Sequence, residues 1–333
     1  MDTGTVTAAH GGGGTQSRDL VRELFLSRLG NGALNRLDDA AVLEPLQGQL
    51  ALTTDSFVVD PWTFPGGNVG DLAVCGTVND LAMVGARPVY LTAGFILPEG
   101  FALADLAEIV DAMARRAAEA GVRVVAGDTK VVERGAGPFV NTAGVGVVAE
   151  GVRVSGHGAR VGDAVLLTGD VGRHGIAVLS QREGLAFATR VVSDVAPLAG
   201  LVGALLDEGL PVHTLRDPTR GGVAEALNEI AGQSGVEIEI EESAIPVEPE
   251  VRSACELLGL DPLHVANEGC ALVFVPEERS DRALEVLRAQ PQGRKACRVG
   301  TVVGDRPRVI ARTSLGGRRL VEAPSGELLP RIC

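Results

Sequence analysis

Four aspartates stand where predicted strands end or where a predicted helix is buried. They are Asp39, Asp55, Asp80 and Asp128. Asp80 is the most informative, because it lies beside Asn79 in residues 69–84, which are apolar on nearly all sides and predict a buried helix. An unpaired buried carboxylate is costly, and several carboxylates brought together need protons or cations to balance their charge. Divalent cations with oxygen ligands, holding the phosphates of a nucleotide, would meet that need.

These aspartates also have an ordinary explanation. Asp39 and Asp55, taken alone, are typical of strand ends and helix caps, whereas the position of Asp80 favours a role in binding. Gly76 lies one turn before Asp80, and it leaves space beside that face of the helix for a bulky group. The sequence therefore predicts a carboxylate site built around the buried helix.

The lysines are a second informative feature. Lys130 and Lys295 are the only lysines, because arginine supplies nearly all the positive charge of this chain. A lysine ammonium is a compact point charge, whereas arginine presents a planar fork, so a retained lysine can mark a site where arginine would not serve. Lys130 ends the motif Gly-Asp-Thr-Lys, which directly follows an apolar run, and is a candidate for such a site. Lys295 is predicted to lie in a solvated loop.

Two further segments carry candidates for binding and for acid–base chemistry. Residues 217–222 precede a predicted helix and contain two consecutive glycines, which expose N–H groups suited to an anion. The candidates there are Asp217, Thr219, Arg220, Gly221 and Gly222. An aspartate cap followed by Pro218 is also a sufficient structural account of this motif. Glu268 precedes an apolar strand and is either a strand-edge residue or a general base at the rim of a pocket.

The last residue, Cys333, follows a stretch rich in glycine, proline and serine. A thiol there packs against no core, so it is able to enter an active site and leave it again. At about 3.3 Å per extended residue, residues 313–333 would reach about 70 Å, enough to serve this protein and a partner. The alternative is a frayed terminus that happens to end in cysteine.

Composition narrows the class of protein. A chain of 333 residues predicts two domains, and a net charge of −13 without a basic stripe argues against nucleic-acid binding. No apolar run is long enough to span a bilayer, and the start of the chain has no pattern of a secretory signal. Five cysteines without a CxxC spacing suit a reduced, cytoplasmic protein and give no metal–thiolate signal.

Periodicity predicts an α+β first domain over residues 1–155 and an α/β second domain over residues 156–312, followed by a mobile tail over 313–333. Predicted helices of the first domain cover 17–29, 69–84 and 103–120, and its strands cover 40–43, 49–53, 88–97, 122–126 and 139–149. The glycine-rich residues 10–14 are predicted to be a flexible leader or, alternatively, backbone lying over phosphates. None of the Walker A, dinucleotide-binding or kinase signatures is present.

Several motifs, in order along the chain, resemble the HypE family of hydrogenase maturation proteins. They are Thr53–Pro61, Pro65–Gly67, Gly76–Met83, Gly127–Val132, Asp217–Gly222, Ala266–Gly269 and Pro330–Cys333. Several are shared with the wider superfamily of aminoimidazole ribonucleotide synthetase, selenophosphate synthetase and thiamine-monophosphate kinase, whereas the terminal Pro-Arg-Ile-Cys is specific to HypE. This chain has Asn68 where the family pattern has aspartate, and His264 where it has tyrosine.

The resemblance implies a two-domain fold like that of aminoimidazole ribonucleotide synthetase. In that fold the first domain dimerises through its sheet, and ATP binds near the dimer interface. It also implies a reaction in which a partner, the carbamoyltransferase HypF, places a carbamoyl group on Cys333. ATP then drives dehydration of this thiocarbamate to a thiocyanate. The cyanide passes to a HypC–HypD complex for the iron of [NiFe]-hydrogenase.

On this reading, Mg²⁺ and ATP are held by Asp39, Asp55, Asp80 and Asp128. The other residues expected to bind the nucleotide are Asn79, Lys130, Asp217, Thr219, Arg220, Gly221 and Gly222. Lys130 is expected to stabilise the activated oxygen, and Glu268 to remove N–H protons. Two alternatives remain at this point. One is a sister enzyme that phosphorylates a small molecule, and the other is a non-catalytic ATP-binding dimer whose tail is a docking peptide.

Overall fold

A computed structural model describes residues 4–133, 135, 137–182 and 190–323. The predicted substrate residue Cys333 lies outside this part of the chain. Two sheets organise the described residues, a four-stranded sheet between residues 49 and 148 and a seven-stranded sheet between residues 163 and 320. Helices pack on both, so the predicted two-domain α+β architecture is confirmed. The predicted boundary at residue 155 falls in the connection between the two sheets.

Helices flank both sheets. The α-helices are α1 (Thr15–Leu20), α2 (Ser27–Leu29), α3 (Val69–Met83), α4 (Leu103–Ala120), α5 (Arg173–Arg182), α6 (Ala199–Asp207), α7 (Gly222–Ser234), α8 (Pro249–Leu258) and α9 (Ser280–Arg288). A π-helical turn, Val21–Leu26, joins α1 to α2, so the predicted first helix is continuous but irregular. No helix in the described ranges is long and apolar enough to cross a membrane.

The strands account for most of the remaining regular structure. They are β1 (Gln49–Phe57), β2 (Thr63–Phe64), β3 (Gly67–Asn68), β4 (Ala86–Pro98), β5 (Arg123–Val132), β6 (Phe139–Val148), β7 (Asp163–Leu167), β8 (Thr214–Arg216), β9 (Glu237–Glu241), β10 (Leu272–Pro276), β11 (Cys297–Gly304), β12 (Arg308–Arg312) and β13 (Arg318–Leu320). The predicted strand over residues 40–43 is wrong, because residues 41–47 have no regular structure. The predicted strand over 122–126 instead continues to Val132.

The first sheet has the strand order β1-β6-β4-β5, with only β4 and β5 parallel. One face is covered by α3, which is buried along nearly its whole length, as its all-round apolar sequence predicts. Gly144 of β6 lets α3 approach closely, since a Cβ there would stand 2.7 Å from Thr77. Gly76 does make room beside α3, but the Phe57 ring fills that room, 2.8 Å from where a Cβ would be.

The second sheet has the order β13-β12-β9-β11-β7-β10-β8 and is antiparallel except between β9 and β12. All five residues of β7 are buried, because helices cover both faces of the sheet. Leu166 belongs to the core with α6 and α9, whereas Leu167 packs in the core with α7. A strand buried on both faces reads as a continuous apolar run, as this one does.

The prediction of a mobile tail from residue 313 is wrong at its start, because residues 318–320 form β13. β13 pairs antiparallel with β12, and the following Val321 is 1% exposed. Arginines and glutamates alternate across this edge of the sheet; for example, Arg318 Nη2 lies 2.6 Å from Glu239 and Arg319 Nη2 lies 3.1 Å from Asp261. The tail is therefore anchored as far as Val321.

The entry to α3 depends on a buried ion pair. Asn68 caps the helix, its Oδ1 accepting from Gly70 N at 2.8 Å, and its amide also donates to Glu108 O at 3.4 Å, which an aspartate would not do. Asp71 is 1% exposed, and its Oδ1 accepts from Arg116 Nε at 2.8 Å. Arg116 in turn donates to Val195 O at 3.0 Å, so this pair also joins the two domains.

We expect Asp71→Ala to lower the free energy of unfolding by about 3 kcal/mol, because it leaves Arg116 largely buried without its carboxylate. Urea unfolding followed by circular dichroism measures this change. Arg115→Ala is the matched control: Arg115 contacts the same carboxylate but is 61% exposed, so its loss should cost less than about 1 kcal/mol. Equal losses for the two variants would contradict the prediction.

Candidate active site

A cavity of about 670 Å³ opens between the two domains and is called the interdomain cavity below. Its polar wall consists of Thr53 and Asp55 on β1, Asp80 on α3, Arg216, Asp217, Thr219 and Arg220 on the segment before α7, and Glu268 before β10. The structure therefore brings together two of the predicted metal ligands, three of the predicted anion-binding residues and the predicted base.

Asp80 lies at the bottom of this wall, on the side of α3 that faces β1. Thr53 Oγ1 donates to Asp80 Oδ2 at 2.9 Å, and Thr77 Oγ1 donates to Asp55 at 3.4 Å. Burial, together with the nearby carboxylates of Asp217 and Asp55, raises the pKa of Asp80 to about 7. Asp80 and Asp55 are thus close enough for their charges to oppose each other.

The other carboxylates of the interdomain cavity are affected in the same direction. Burial raises the pKa of Asp217 to about 6. Burial also raises the pKa of Glu268 well above its ordinary value, and the charges of Asp217, Asp194, Asp80 and Asp55 add to the effect. Glu268 is only 4% exposed. Such crowding favours a bound proton or cation, which is a frequent property of catalytic and metal-binding sites.

The loop before α7 is held by a hydrogen bond from Asn267 and by close packing at Gly222. Asn267 Nδ2 donates to Pro218 O at 2.9 Å, which ties the loop to the segment carrying Glu268. Gly222 has a φ of 62°, and a Cβ there would stand 2.5 Å from Leu263 O. Gly221 and Gly222 therefore shape the turn into α7, while Thr219 and Arg220 line the interdomain cavity. The predicted glycines fit a structural role at this position.

A second cavity, of about 310 Å³, lies at the edge of the first domain and is called the N-terminal cavity. Its apolar interior includes Phe25, Phe95 and Val124, and its mouth is polar. The residues at the mouth include Gly11, Gly13, Asp39, Asp128 and Lys130. The prediction of a flexible leader is wrong for Gly11, which packs closely on Val131. A Cβ added to Gly11 would stand 2.7 Å from the backbone nitrogen of Val131.

Asp128 and Lys130 form an ion pair with Nζ 2.7 Å from Oδ2, and the hydrogen bond from Lys130 lowers the pKa of Asp128. Both are exposed on the outer face of the first sheet, whereas Asp55 lies on the inner face, opposite α3 and its Asp80. A register shift in β5 sets two residues against one step of β4, so Val124 and Ala126 fall on opposite faces and Asp128 follows on the outer face.

The predicted set of four metal-binding aspartates is therefore split on one chain. Asp55 and Asp80 line the interdomain cavity, whereas Asp39 and Asp128 line the N-terminal cavity. Within the described ranges, no group of three or more histidine, cysteine, aspartate or glutamate side chains has the arrangement of a metal site. The motifs alone do not reveal this separation, because it depends on which face of each element a residue occupies.

Asn79, predicted to bind the cofactor, makes hydrogen bonds to the segment before α6. Its Oδ1 accepts from Leu198 N at 2.7 Å, and its Nδ2 donates to Ala196 O at 3.1 Å. Its side chain is 1% exposed and holds the segment before α6 against α3. A side-chain amide suits this position because it can both accept from a backbone N–H and donate to a backbone carbonyl.

Sequence reasoning missed Asp194, which lies in that same segment. Its carboxylate accepts hydrogen bonds from Glu268 N at 3.2 Å and from Gly269 N at 2.9 Å. Burial raises the pKa of Asp194 above its ordinary value. Residues 191–198 carry no periodic pattern or motif that would have identified this contact, because its partners are far away in sequence.

The tail leaves the second domain beside the interdomain cavity. Asn228 Nδ2 donates to Val321 O at 3.0 Å, and His264 Nε2 lies 3.2 Å from Glu322 O. His264 also borders Gly222, whose added Cβ would stand 2.9 Å from the His264 carbonyl carbon. The exit point therefore lies next to the loop that carries Thr219 and Arg220. Cys333 itself is beyond the described residues.

Comparison with known proteins gives consistent matches over the whole chain. Residues 37–148 match the family described as AIR synthase related protein, N-terminal domain, and residues 160–312 match the corresponding C-terminal domain. A relative from Azotobacter vinelandii named carbamoyl dehydratase HypE is 54% identical over 336 residues, covering 100% of this chain and 98% of the relative.

Two solved structures extend the comparison. The crystal structure of a hydrogenase maturation protein HypE in complex with ATP has a TM-score of 0.95 and 49% identity, covering 99% of this chain and 100% of that chain. A chain in the crystal structure of a HypE–HypF complex has a TM-score of 0.81 and 50% identity, covering 92% of this chain and 99% of that chain.

The raised pKa of Asp80 predicts how stability depends on pH in metal-free protein. The pKa of Asp80 is about 7 in the folded protein, and its ordinary value is 3.8. At a pH between these two values, Asp80 is protonated in the folded protein and ionised in the unfolded protein. Stability therefore falls as the pH rises from about 4 to about 7. Asp80→Asn should remove this contribution and be more stable than the wild type at pH 8, by about 2 kcal/mol.

Urea unfolding in EDTA at several pH values measures this difference. Asp38→Asn is the control, because it removes a carboxylate at an exposed position. The same pH dependence in wild type and Asp80→Asn would contradict the prediction.

Proposed function

This chain belongs to the HypE family of carbamoyl dehydratases, enzymes of hydrogenase maturation, and on that premise we propose that it uses ATP to dehydrate a carbamoyl group carried on its own Cys333. The product is a thiocyanate that supplies cyanide for the iron of [NiFe]-hydrogenase. The observation that carries the proposal is the crowded carboxylate wall of the interdomain cavity, beside which the cysteine-bearing tail leaves the domain.

The N-terminal cavity suits the nucleoside of ATP. Its interior, between Phe25, Phe95 and Val124, is apolar and suits a flat adenine ring, and its mouth offers the ammonium of Lys130 for phosphates. The close structural similarity to a HypE that binds ATP supports this assignment. The turn of Gly11 and Gly13 at the mouth allows backbone to approach the phosphates closely.

The donor sets also fit Mg²⁺. This ion usually keeps several waters and binds one or two protein carboxylates together with substrate phosphates. We assign Asp55 and Asp80 to one such position and Asp39 and Asp128 to another. Bound Mg²⁺ would neutralise phosphate charge and relieve the repulsion that raises the pKa of Asp80. Thr219 and Arg220 are available to bind phosphate oxygens at the rim of the same cavity.

A homodimer would bring the two halves of the site together. The outer face of the first sheet exposes apolar side chains, including Leu50 at 62%, Leu52 at 76% and Ile96 at 43%. Asp128 and Lys130 lie on this same face. A second copy packed sheet to sheet would bury the apolar side chains and put this ion pair at the interface. The wide separation of the carboxylates on one chain supports such a shared site.

The chemistry needs an activated oxygen and a base. HypF transfers a carbamoyl group to the Cys333 sulfur, in keeping with the similarity to a HypE that forms a complex with HypF. The carbamoyl oxygen then attacks the γ-phosphorus of ATP, ADP leaves, and one N–H proton is lost. Loss of the second N–H proton and departure of the oxygen as phosphate leave a carbon–nitrogen triple bond on sulfur.

Two side chains have assigned roles in these steps. Lys130 stabilises negative charge on the transferring phosphoryl group and the departing oxygen. Glu268 accepts the N–H protons, and burial raises its pKa well above the ordinary value, which makes its carboxylate a stronger base. Because Cys333 is part of the enzyme, its carbamoyl group has a high effective concentration at the site. A HypC–HypD complex in the cytoplasm then accepts the cyanide.

The proposal predicts a mass change on Cys333. After incubation with Mg²⁺, ATP, carbamoyl phosphate and HypF, the intact protein should gain one carbamoyl group less one water. Cys333→Ser should show no gain, whereas Cys297→Ser, which removes a half-buried thiol elsewhere, should behave as the wild type. Formation of a small-molecule phosphate, with no adduct on the protein, would instead indicate a sister kinase.

The dimer makes a separate prediction. Leu52→Asp places a charge in the proposed interface and should convert the protein to monomers, as measured by light scattering after gel filtration. Leu315→Asp is the matched control, because Leu315 is 96% exposed on the second domain. A Leu52→Asp variant that remains dimeric would exclude this face as the interface.

A further inference from the structure

Residues 191–198 form a clasp between the domains, and Asp194 lies at its centre. The clasp contacts the first domain at three places. Ser193 N donates to Pro65 O at 2.8 Å, Arg116 donates to Val195 O at 3.0 Å, and Asn79 accepts from Leu198 N at 2.7 Å. The backbone around Asp194 is therefore fixed from both sides along the chain.

The clasp is also bound to Glu268 by reciprocal hydrogen bonds. Asp194 accepts from Glu268 N at 3.2 Å and from Gly269 N at 2.9 Å, while Ala196 N donates to Glu268 O at 3.2 Å. Both peptide groups that flank the Glu268 side chain are thus held by the clasp. Charge-assisted hydrogen bonds from backbone N–H groups to a carboxylate are among the stronger ones.

The fit between the two segments leaves little freedom. A Cβ on Gly269 would stand 1.7 Å from Asp194 O, so the backbones approach closer than any side chain permits. The clasp lines a cavity of about 510 Å³ on the far side of this contact, whereas Glu268 lines the interdomain cavity. Asp194 therefore supports the wall from behind and does not itself line the interdomain cavity.

From these contacts we infer that Asp194 is a positioning residue, which sets the place of the Glu268 carboxyl group in the reaction by holding its backbone. The inference rests on the proposed function, because Glu268 is the group it acts through. Catalysis depends steeply on such placement, since a displacement of about 1 Å can lower a rate by about 100-fold.

A positioning role and a merely structural role predict different outcomes. Replacing Asp194 by asparagine keeps the shape but turns one acceptor into a donor facing a backbone N–H. If Asp194 acts through Glu268, the substitution should slow the chemical step and leave ATP affinity unchanged. If it only stabilises the fold, its effect should be the same whether or not Glu268 is present.

The experiment measures single-turnover dehydration of protein already carbamoylated by HypF, followed by intact mass over a range of ATP concentrations. We expect Asp194→Asn to lower the rate at saturating ATP by roughly 100-fold, with the half-saturating ATP concentration within about twofold of wild type. In a Glu268→Gln background the same substitution should change the rate by less than about twofold.

Asp170→Asn is the matched control. Asp170 lines the same 510 Å³ cavity as Asp194 and is paired with Lys295, but it makes no contact with Glu268. The Asp170→Asn variant should therefore react at the wild-type rate. Asp194→Glu keeps the charge and should retain part of the rate, which gives a second test if Asp194→Asn does not fold.

Equal factors for Asp194→Asn in both backgrounds, or a folded variant with the wild-type rate, would overturn the inference alone. A wild-type rate for Glu268→Gln would overturn the assigned role of Glu268 and the inference with it.

Discussion

The crowding of buried carboxylates between the two domains is the constraint on which the rest of the site depends. Asp55, Asp80, Asp217 and Glu268 come from four separate elements, and burial raises the pKa of the last three. Like charges at such a place cost stability unless something neutralises them. The packing of α3 and the clasp at residues 191–198 hold them together nonetheless, which is typical of a site maintained for a positively charged ligand or a proton.

In the proposed function, the two faces of the first sheet account for a ligand shared between two chains. The inner face packs on α3 and carries Asp55, whereas the outer face carries Asp128 and Lys130 among exposed apolar side chains. Exposure of such an apolar sheet face to water is unfavourable. In the proposed dimer, the packing of two sheets would both cover this face and complete the site. Nucleotide binding and association of two copies are thereby coupled in the proposed function.

The sequence predicted most elements well because their periodicity is strong, as in the buried α3 and the amphipathic α4, whose predicted bounds match Leu103–Ala120. It predicted the residue types of the site through short motifs. It did not predict which face of β5 carries Asp128, because the register shift between Val124 and Ala126 exchanges the faces and depends on the pairing with β4. Nor did it predict Asp194, because that contact depends on long-range backbone packing rather than on any local pattern.

The anchoring of the tail bears on how the proposed substrate reaches the site. With β13 paired and Glu322 O near His264, the length of chain between this anchor and Cys333 is residues 323–333, whose fully extended limit is about 36 Å rather than the 70 Å expected for residues 313–333. The effective concentration of a tethered group rises as the tether shortens, with roughly the −3/2 power of its length, so this anchoring raises it roughly two- to threefold. Because the exit point adjoins the loop of Thr219 and Arg220, the shorter tether favours the interdomain cavity of the same chain while still leaving enough length to extend towards a partner.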